Sequence, residues 1–244
     1  MSDTMESEGL IKGNITKKPE PGAPDYRKAW IANVNKYNDK VKPHPFCHGI
    51  QMDTHHLISG KALKDIGQDI QEALRYKGYN VNALNNLVGL PKTYKGACYL
   101  GIQVHRTQHT FKSNEFGEVQ TSNYHKEVIK FIHSIESEIT QCNGTTEIEE
   151  SKRDIHVNHM DIISRKLLNK ILNFQLPLTK IGHHFNKKSK VYIGCANKEK
   201  IADLSLSNLQ PCNQNHYDTL DSTKGYEPDT TIQFKDEWAP KVTI

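Results

Sequence analysis

The chain has 244 residues, 36% of them hydrophobic, and a formal net charge of +4. That length allows one large domain or two small ones, and no apolar run approaches the span of a membrane-crossing helix. The N-terminal "MSDTMESEGLIKGNITKKPEPGAPDY" lacks the apolar centre of a secretory signal. The expectation is therefore synthesis in the cytoplasm, with export to a target-cell cytoplasm, where it occurs, by a route without a signal peptide.

Five cysteines (Cys47, Cys98, Cys142, Cys195 and Cys212) are an odd number, widely spread and without a CxxC pair. They exclude a disulfide framework and fit a reducing compartment. Charge comes in blocks: residues 42–135 are basic, 136–155 acidic, 156–200 strongly basic and 201–244 acidic. A solvated surface explains any single block, and the basic ones fit a nucleic-acid groove or a partner equally well.

In chain order, residues 1–25 carry Gly, Pro and Lys without periodicity and read as an arm and linker. A helix is predicted from about Asp25, with Tyr26, Trp30, Val34 and Tyr37 on one face, completing an N-terminal region 1–41. "VKPHPFCHGI" breaks structure with its prolines. "MDTHHLISG" then sets His55 beside His56 at a strand end. Neighbours on a strand face opposite ways, so each imidazole serves a different partner. Lys61–Tyr76 carries Leu63, Ile66, Ile70 and Leu74 at helical spacing, and Gly78 ends that helix. An asparagine-rich loop (Asn82, Asn85, Asn86) leads into a strand, Leu87–Leu90, stopped by Pro91. "GIQVHRTQH" fits more than one local structure, whereas Tyr124–Ile139 is an amphipathic helix with Val128, Phe131, Ile132, Ile135 and Ile139 inward. "TQCNGTTEIEESKRD" suggests a boundary between a core, 42–140, and a C-terminal region, 141–244, of open role. In that region Met160–Leu172 is predicted helical and "SKVYIGC" a strand.

His105 and His109 stand four residues apart, a spacing that on one helix face aims both rings at a single point. One histidine of the doublet added to them brings three nitrogens to one cation and leaves positions open to substrate and water, as a catalytic metal requires. The other ring of the doublet is then the base that takes a proton from water, and an asparagine of the adjoining loop fixes its tautomer.

"THHLIS…GYNVNALNNLVGLP…HRTQH…YHKEVIKFI" resembles the AHH nucleases of the HNH/endonuclease VII (His-Me finger) superfamily, over about Asp53 to Ile135. The resemblance implies an α+β protein with a ββα-metal nuclease core and flanking helices. It implies a DNA endonuclease of little sequence preference that uses one divalent metal, magnesium or zinc. His55, His105 and His109 would be the metal ligands, His56 the general base, and Asn86 the residue that orients it. Thr54 stands in place of a small residue, Leu87 in place of a glycine, and "TFKSNEFGEVQTSN" is inserted between His109 and Tyr124. Relatives of this kind are often bacterial toxin domains, which implies an immunity protein and a secretion-system carrier as partners and no membrane.

Arg106, Lys92 and Lys95 are candidates for backbone phosphates, and solvated positions suit them as well. Tyr124 reads as a packing residue, and His125, His133, His156 and His159 as helix-surface positions. His183, His184, Cys195, Cys212 and His216 fit no zinc-ligand spacing. A housekeeping or phage-type nuclease without a toxin role, and a non-catalytic zinc-stabilised nucleic-acid-binding module, stay open beside the toxin reading.

Overall fold

A computed structural model of the chain describes residues 13–19, 21–38, 44–105, 109–113, 120–140, 146–195 and 240–241. The histidine doublet closes strand β1 (Met52–His56), which pairs antiparallel with β2 (Leu87–Pro91), Met52 opposite Pro91 and His56 opposite Leu87. Opposed residues share a face and successive ones alternate. Met52, Thr54 and His56 therefore lie with Leu87 and Gly89, while Asp53 and His55 lie with Val88 and Leu90. A two-stranded ribbon is marginal by itself, and helices on both faces hold this one.

The Met52 face packs on α1 (Tyr26–Tyr37), where Met52 and Leu87 join Trp30, Val34, Phe46 and Ile50 in one apolar cluster. Asp25 caps this helix, its carboxylate accepting the Arg27 N–H at 2.8 Å. The predicted apolar stripe ends before Tyr37, which is 58% exposed. Trp30 lies so close to the ribbon that a Cβ on Gly89 would fall 2.2 Å from its Cζ2. Only glycine fits there, and Thr54, larger than the residue expected, stands opposite it.

The other face meets the main core. The single helix predicted over Lys61–Tyr76 is two, α2 (Gly60–Asp65) and α3 (Gln68–Tyr76), parted at Gly67, whose φ of 85° no helix accepts. Leu63, Ile66, Ile70 and Leu74 are nonetheless all buried, because both pieces present one stripe. After α3 the Gly78 N–H reaches Arg75 O at 3.1 Å and the Tyr79 N–H reaches Leu74 O at 2.9 Å, a Schellman ending. Next come α4 (Tyr94–Leu100), a hairpin of β3 (Thr110–Ser113) and β4 (Gln120–Asn123), α5 (Tyr124–His133), α6 (Glu136–Thr140) and α7 (Thr146–Leu172). The helix expected from Tyr124 to Ile139 thus divides after His133, though Val128, Ile132 and Ile139 stay buried.

Two boundaries move. Met160, Ile163, Leu167 and Ile171 of α7, with Leu176 and Leu178 beyond it, pack into the same cluster as Leu57, Ile58, Val128 and Ile132. The core consequently does not stop at residue 140. At the other end, Ile15 is buried in that cluster, the Gly13 N–H bonds Arg75 O at 2.7 Å, and the Val81 N–H bonds Asn14 O at 2.7 Å. Part of the expected linker is therefore pinned to the fold. "SKVYIGC" is not a strand: the N–H groups of Ile193 and Gly194 both go to the single carbonyl of His184. Among the described residues, Cys47, Cys98 and Cys195 are free thiols, and no helix is long and apolar enough to cross a membrane.

Candidate active site

Three histidines from distant parts of the chain meet beside the ribbon. Ring centroids lie 5.0 Å apart for His55 and His105, 5.1 Å for His55 and His109, and 5.1 Å for His105 and His109. One ligand nitrogen from each lies within 4.8 Å of the others, and His55 Nδ1 is 3.1 Å from His105 Nε2. Nitrogens on a tetrahedral zinc with bonds of about 2.0–2.1 Å stand roughly 3.3 Å apart, so the cluster is of the right size for one ion. Its chemistry fits as well. Metal-binding imidazoles must be neutral. Burial, then the neighbouring His105 and His109, push His55 well below the usual histidine pKa. Burial, then His105, hold His109 down at about 4. His55 Nε2 and His105 Nδ1 are buried with no hydrogen-bond partner among the described residues.

The placement of the triad is tertiary, not helical. His105 lies in non-helical chain and His109 adjoins β3, so the one-helix-face geometry expected of the pair is absent. His105 is fixed by its N–H to Pro91 O at 2.7 Å, at the end of β2. Buried Gln103 anchors the preceding chain: its Nε2 donates to Ile171 O (2.7 Å) and Leu176 O (3.1 Å), and its Oε1 accepts from the Leu178 N–H (2.8 Å). His109 Nδ1 faces Leu178 O at 3.4 Å, which leaves Nε2 toward the cluster. The inserted segment between His109 and Tyr124 folds on itself as the β3–β4 hairpin, pairing Thr110 with Asn123. It returns the chain so that the Tyr124 N–H bonds His109 O at 3.1 Å.

A carboxylate backs the triad. Asp53 Oδ2 lies 3.8 Å from His105 Nδ1, and Oδ1 lies 3.1 Å from Arg27 Nη1 and 3.9 Å from Lys92 Nζ. The His105 ring first, then the Lys92 and Arg27 charges, hold the Asp53 pKa down to about 2 against the effect of burial. A carboxylate behind a ligand histidine orients the ring and raises its basicity.

His56 points the other way, as strand alternation requires. Its Nε2 lies 3.0 Å from Asn82 Oδ1, and Tyr26 of α1 packs edge-on at 4.4 Å. Asn82 Nδ2 donates to the carbonyl of Thr16 at 3.1 Å. A carbonyl only accepts, so the amide nitrogen faces Thr16 and the amide oxygen faces the imidazole. His56 Nε2 therefore carries the proton and donates it to Asn82, and the lone pair is left on Nδ1. Burial lowers the His56 pKa to about 4, so the ring is a neutral proton acceptor at neutral pH.

Asn86 does not touch the His56 ring. Its Oδ1 accepts from the Ile58 N–H (2.7 Å) and Ser164 Oγ (2.9 Å), its Nδ2 donates to Ile58 O (3.0 Å) and Val81 O (2.8 Å), and its carbonyl takes the Leu57 N–H (2.9 Å). It fastens the chain leaving the doublet, and Asn82 occupies the position beside the ring that was expected of Asn86. Tyr124 is fully buried, its hydroxyl donating to Leu57 O and its ring 5.1 Å from that of His55.

Lys92 is an exposed partner of Asp53, Lys95 is exposed on α4, and Arg106 falls outside the described residues. His125, expected on a helix surface, is half-buried at the first turn of α5, with Nδ1 2.8 Å from Ser59 Oγ and its ring 6.1 Å from that of His109. Its place directly after Tyr124 was the one available signal. His184 is buried with Nδ1 donating to Val191 O at 2.9 Å, an internal structural bond.

No curated protein and no solved structure gives a significant match to the chain. Residues 37–171, more than half of it, match a family model described as AHH, a nuclease family of the HNH/ENDO VII superfamily with conserved AHH. The matched span holds β1, β2, the clustered histidines, α5 and nearly all of α7, the elements that build the site. The chain belongs to the AHH nuclease family.

Proposed function

We propose that this nuclease cuts DNA with little sequence preference, using one divalent cation held by His55, His105 and His109 and His56 as general base. One observation carries the reading: three neutral imidazoles converge within 4.8 Å on one face of the strand end, while the adjacent ring is fixed by Asn82 on the other. Bound to the triad, the cation supplies Lewis-acid charge at the scissile phosphate and the leaving oxygen.

His56 Nδ1 accepts a proton from water as the water oxygen bonds to phosphorus and the P–O bond to the leaving group breaks. Solvent protonates the leaving alkoxide. Asn82 keeps Nε2 protonated throughout, so the imidazole presents the same lone pair at each turnover. An anionic phosphate alongside favours the protonated ring, raising a pKa that burial alone sets low. Asp53 holds His105, and Tyr124 and Asn86 hold the backbone of the doublet.

Purified full-length chain incubated with supercoiled plasmid, and separately with RNA, tests this in magnesium, in zinc and with chelator. The expected result is relaxed and then linear plasmid with metal, none with chelator, and slower cleavage of RNA. Plasmid left intact with every metal overturns the activity. RNA cut while DNA is spared overturns the substrate.

Among the described residues the ligand cluster contains three residues, one short of a closed structural zinc site, which favours an open catalytic position over a stabilising one. The biological role we infer is that of an antibacterial effector, made in the cytoplasm, delivered by a secretion-system carrier into a target cell and neutralised by an immunity protein. Lethality on expression in a bacterium, relieved by a neighbouring gene product, is the expected outcome. Harmless expression of active enzyme supports a housekeeping or phage-type nuclease instead.

A further inference from the structure

Lys17 belongs to the stretch that reads in the sequence as a linker, yet its position is tightly defined. Thr16 is tied to the base through Asn82, and two residues further back Ile15 and Asn14 are fixed in the core and on Val81. The stem of Lys17 lies over Gly60: a Cβ built there would meet its Cγ at 3.2 Å and its Cε at 3.7 Å. Gly60 opens α2 just beyond the doublet, so the side chain runs along the rim of the site while its end remains open to solvent.

Its charge is felt on both faces of the ribbon. Lys17 lowers the pKa of His55 and His109 on the triad side, of His56 on the other, and of His125 beside them. Among the described residues no carboxylate pairs with it, and partial burial alone draws its own pKa below the usual lysine value. An ammonium without a counter-ion, set among neutral imidazoles, makes a local excess of positive charge that an anion relieves. The point near both the triad and the base ring is where an attacked phosphate has to lie.

Building on the nuclease reading above, we propose that Lys17 binds a non-bridging oxygen of the scissile phosphate and stabilises the charge that develops there in the transition state. The N-terminal segment is then part of the active site. Gly60 is left without a side chain where the lysine passes, since even a methyl group would press on the Lys17 stem.

The test compares Lys17→Gln, Lys17→Arg and, as a neighbour with the same charge change, Lys18→Gln, whose exposed side chain makes no contact with the site. Steady-state plasmid cleavage across a salt series is read together with calorimetric metal affinity and anisotropy of a labelled duplex. Lys17→Gln is expected to lower kcat/KM about 10²-fold with metal affinity and melting temperature unchanged. It should also reduce the salt slope of duplex binding by about one, with Lys17→Arg recovering most of both and Lys18→Gln matching wild type.

Equal kcat/KM and equal salt slope in Lys17→Gln and Lys18→Gln overturn the proposal while the nuclease stands. A loss of cleavage that follows a loss of metal or of melting temperature, unrelieved by arginine, overturns it in favour of a structural role. If wild type fails to cut at all, the nuclease reading fails, and the duplex-binding slopes alone decide whether Lys17 contacts phosphate.

Discussion

The two faces of the β1–β2 ribbon solve different problems with neighbouring histidines. The His55 face gathers groups from far along the chain: His105 after α4, His109 before β3, Tyr124 on α5, and the supports of Gln103 and Leu178 from the end of α7. The His56 face is assembled from the N-terminal side, with Tyr26 of α1 against the ring and Thr16 behind Asn82. A metal needs several lone pairs aimed at one point, and only a large core can hold three rings in register. A base needs one ring in one tautomer, and a single amide with a fixed orientation suffices. The comparison teaches that adjacency in sequence carries no shared role when a strand separates the side chains.

Changes confined to one face should leave the other intact, and the largest effect is expected at the base's partner. Asn82→Ala frees the His56 tautomer and orientation, and kcat should fall about 10- to 100-fold, as removal of outer partners of site histidines does elsewhere. Metal affinity by calorimetry should not move. On the other face, Asp53→Asn removes the charge behind His105. Metal affinity should fall about tenfold, the low end of that range because the contact is 3.8 Å, with kcat at saturating metal little changed.

Gly89→Ala strikes the packing beneath the base face without touching either set of histidines. Trp30 must move from a Cβ that would lie 2.2 Å away, and overpacking of this kind costs about 1–3 kcal/mol. A melting temperature lower by several degrees, with metal affinity retained, is the expected reading. An unchanged melting temperature breaks the assignment of Trp30 to this face.

Much of this was legible, and the failures have physical causes. His55, His105 and His109 were singled out correctly as a group that comes together, but for a partly mistaken reason: the four-residue spacing does not sit on a helix, and the core makes the rings meet. Asn82 and Asn86 lie in one loop with the same chemistry, and which of them reaches the ring depends on the Thr16 carbonyl, 66 residues from Asn82 in the chain. Leu63, Ile66, Ile70 and Leu74 announced a buried stripe through a helix that Gly67 divides, since apolar periodicity survives a break that keeps the face. Lys17 carried no signal at all. Its segment has no periodicity, and its position is set by single hydrogen bonds to Arg75, Val81 and Asn82 that no local pattern encodes.

The division of labour between the faces is tested most directly by measuring metal stoichiometry and plasmid cleavage side by side for His56→Ala and His109→Ala. The account predicts that His56→Ala binds one divalent ion as tightly as wild type yet cleaves about 10²- to 10⁴-fold more slowly, whereas His109→Ala loses both metal and cleavage. Loss of the ion from His56→Ala, or full-rate cleavage by it, would contradict the account.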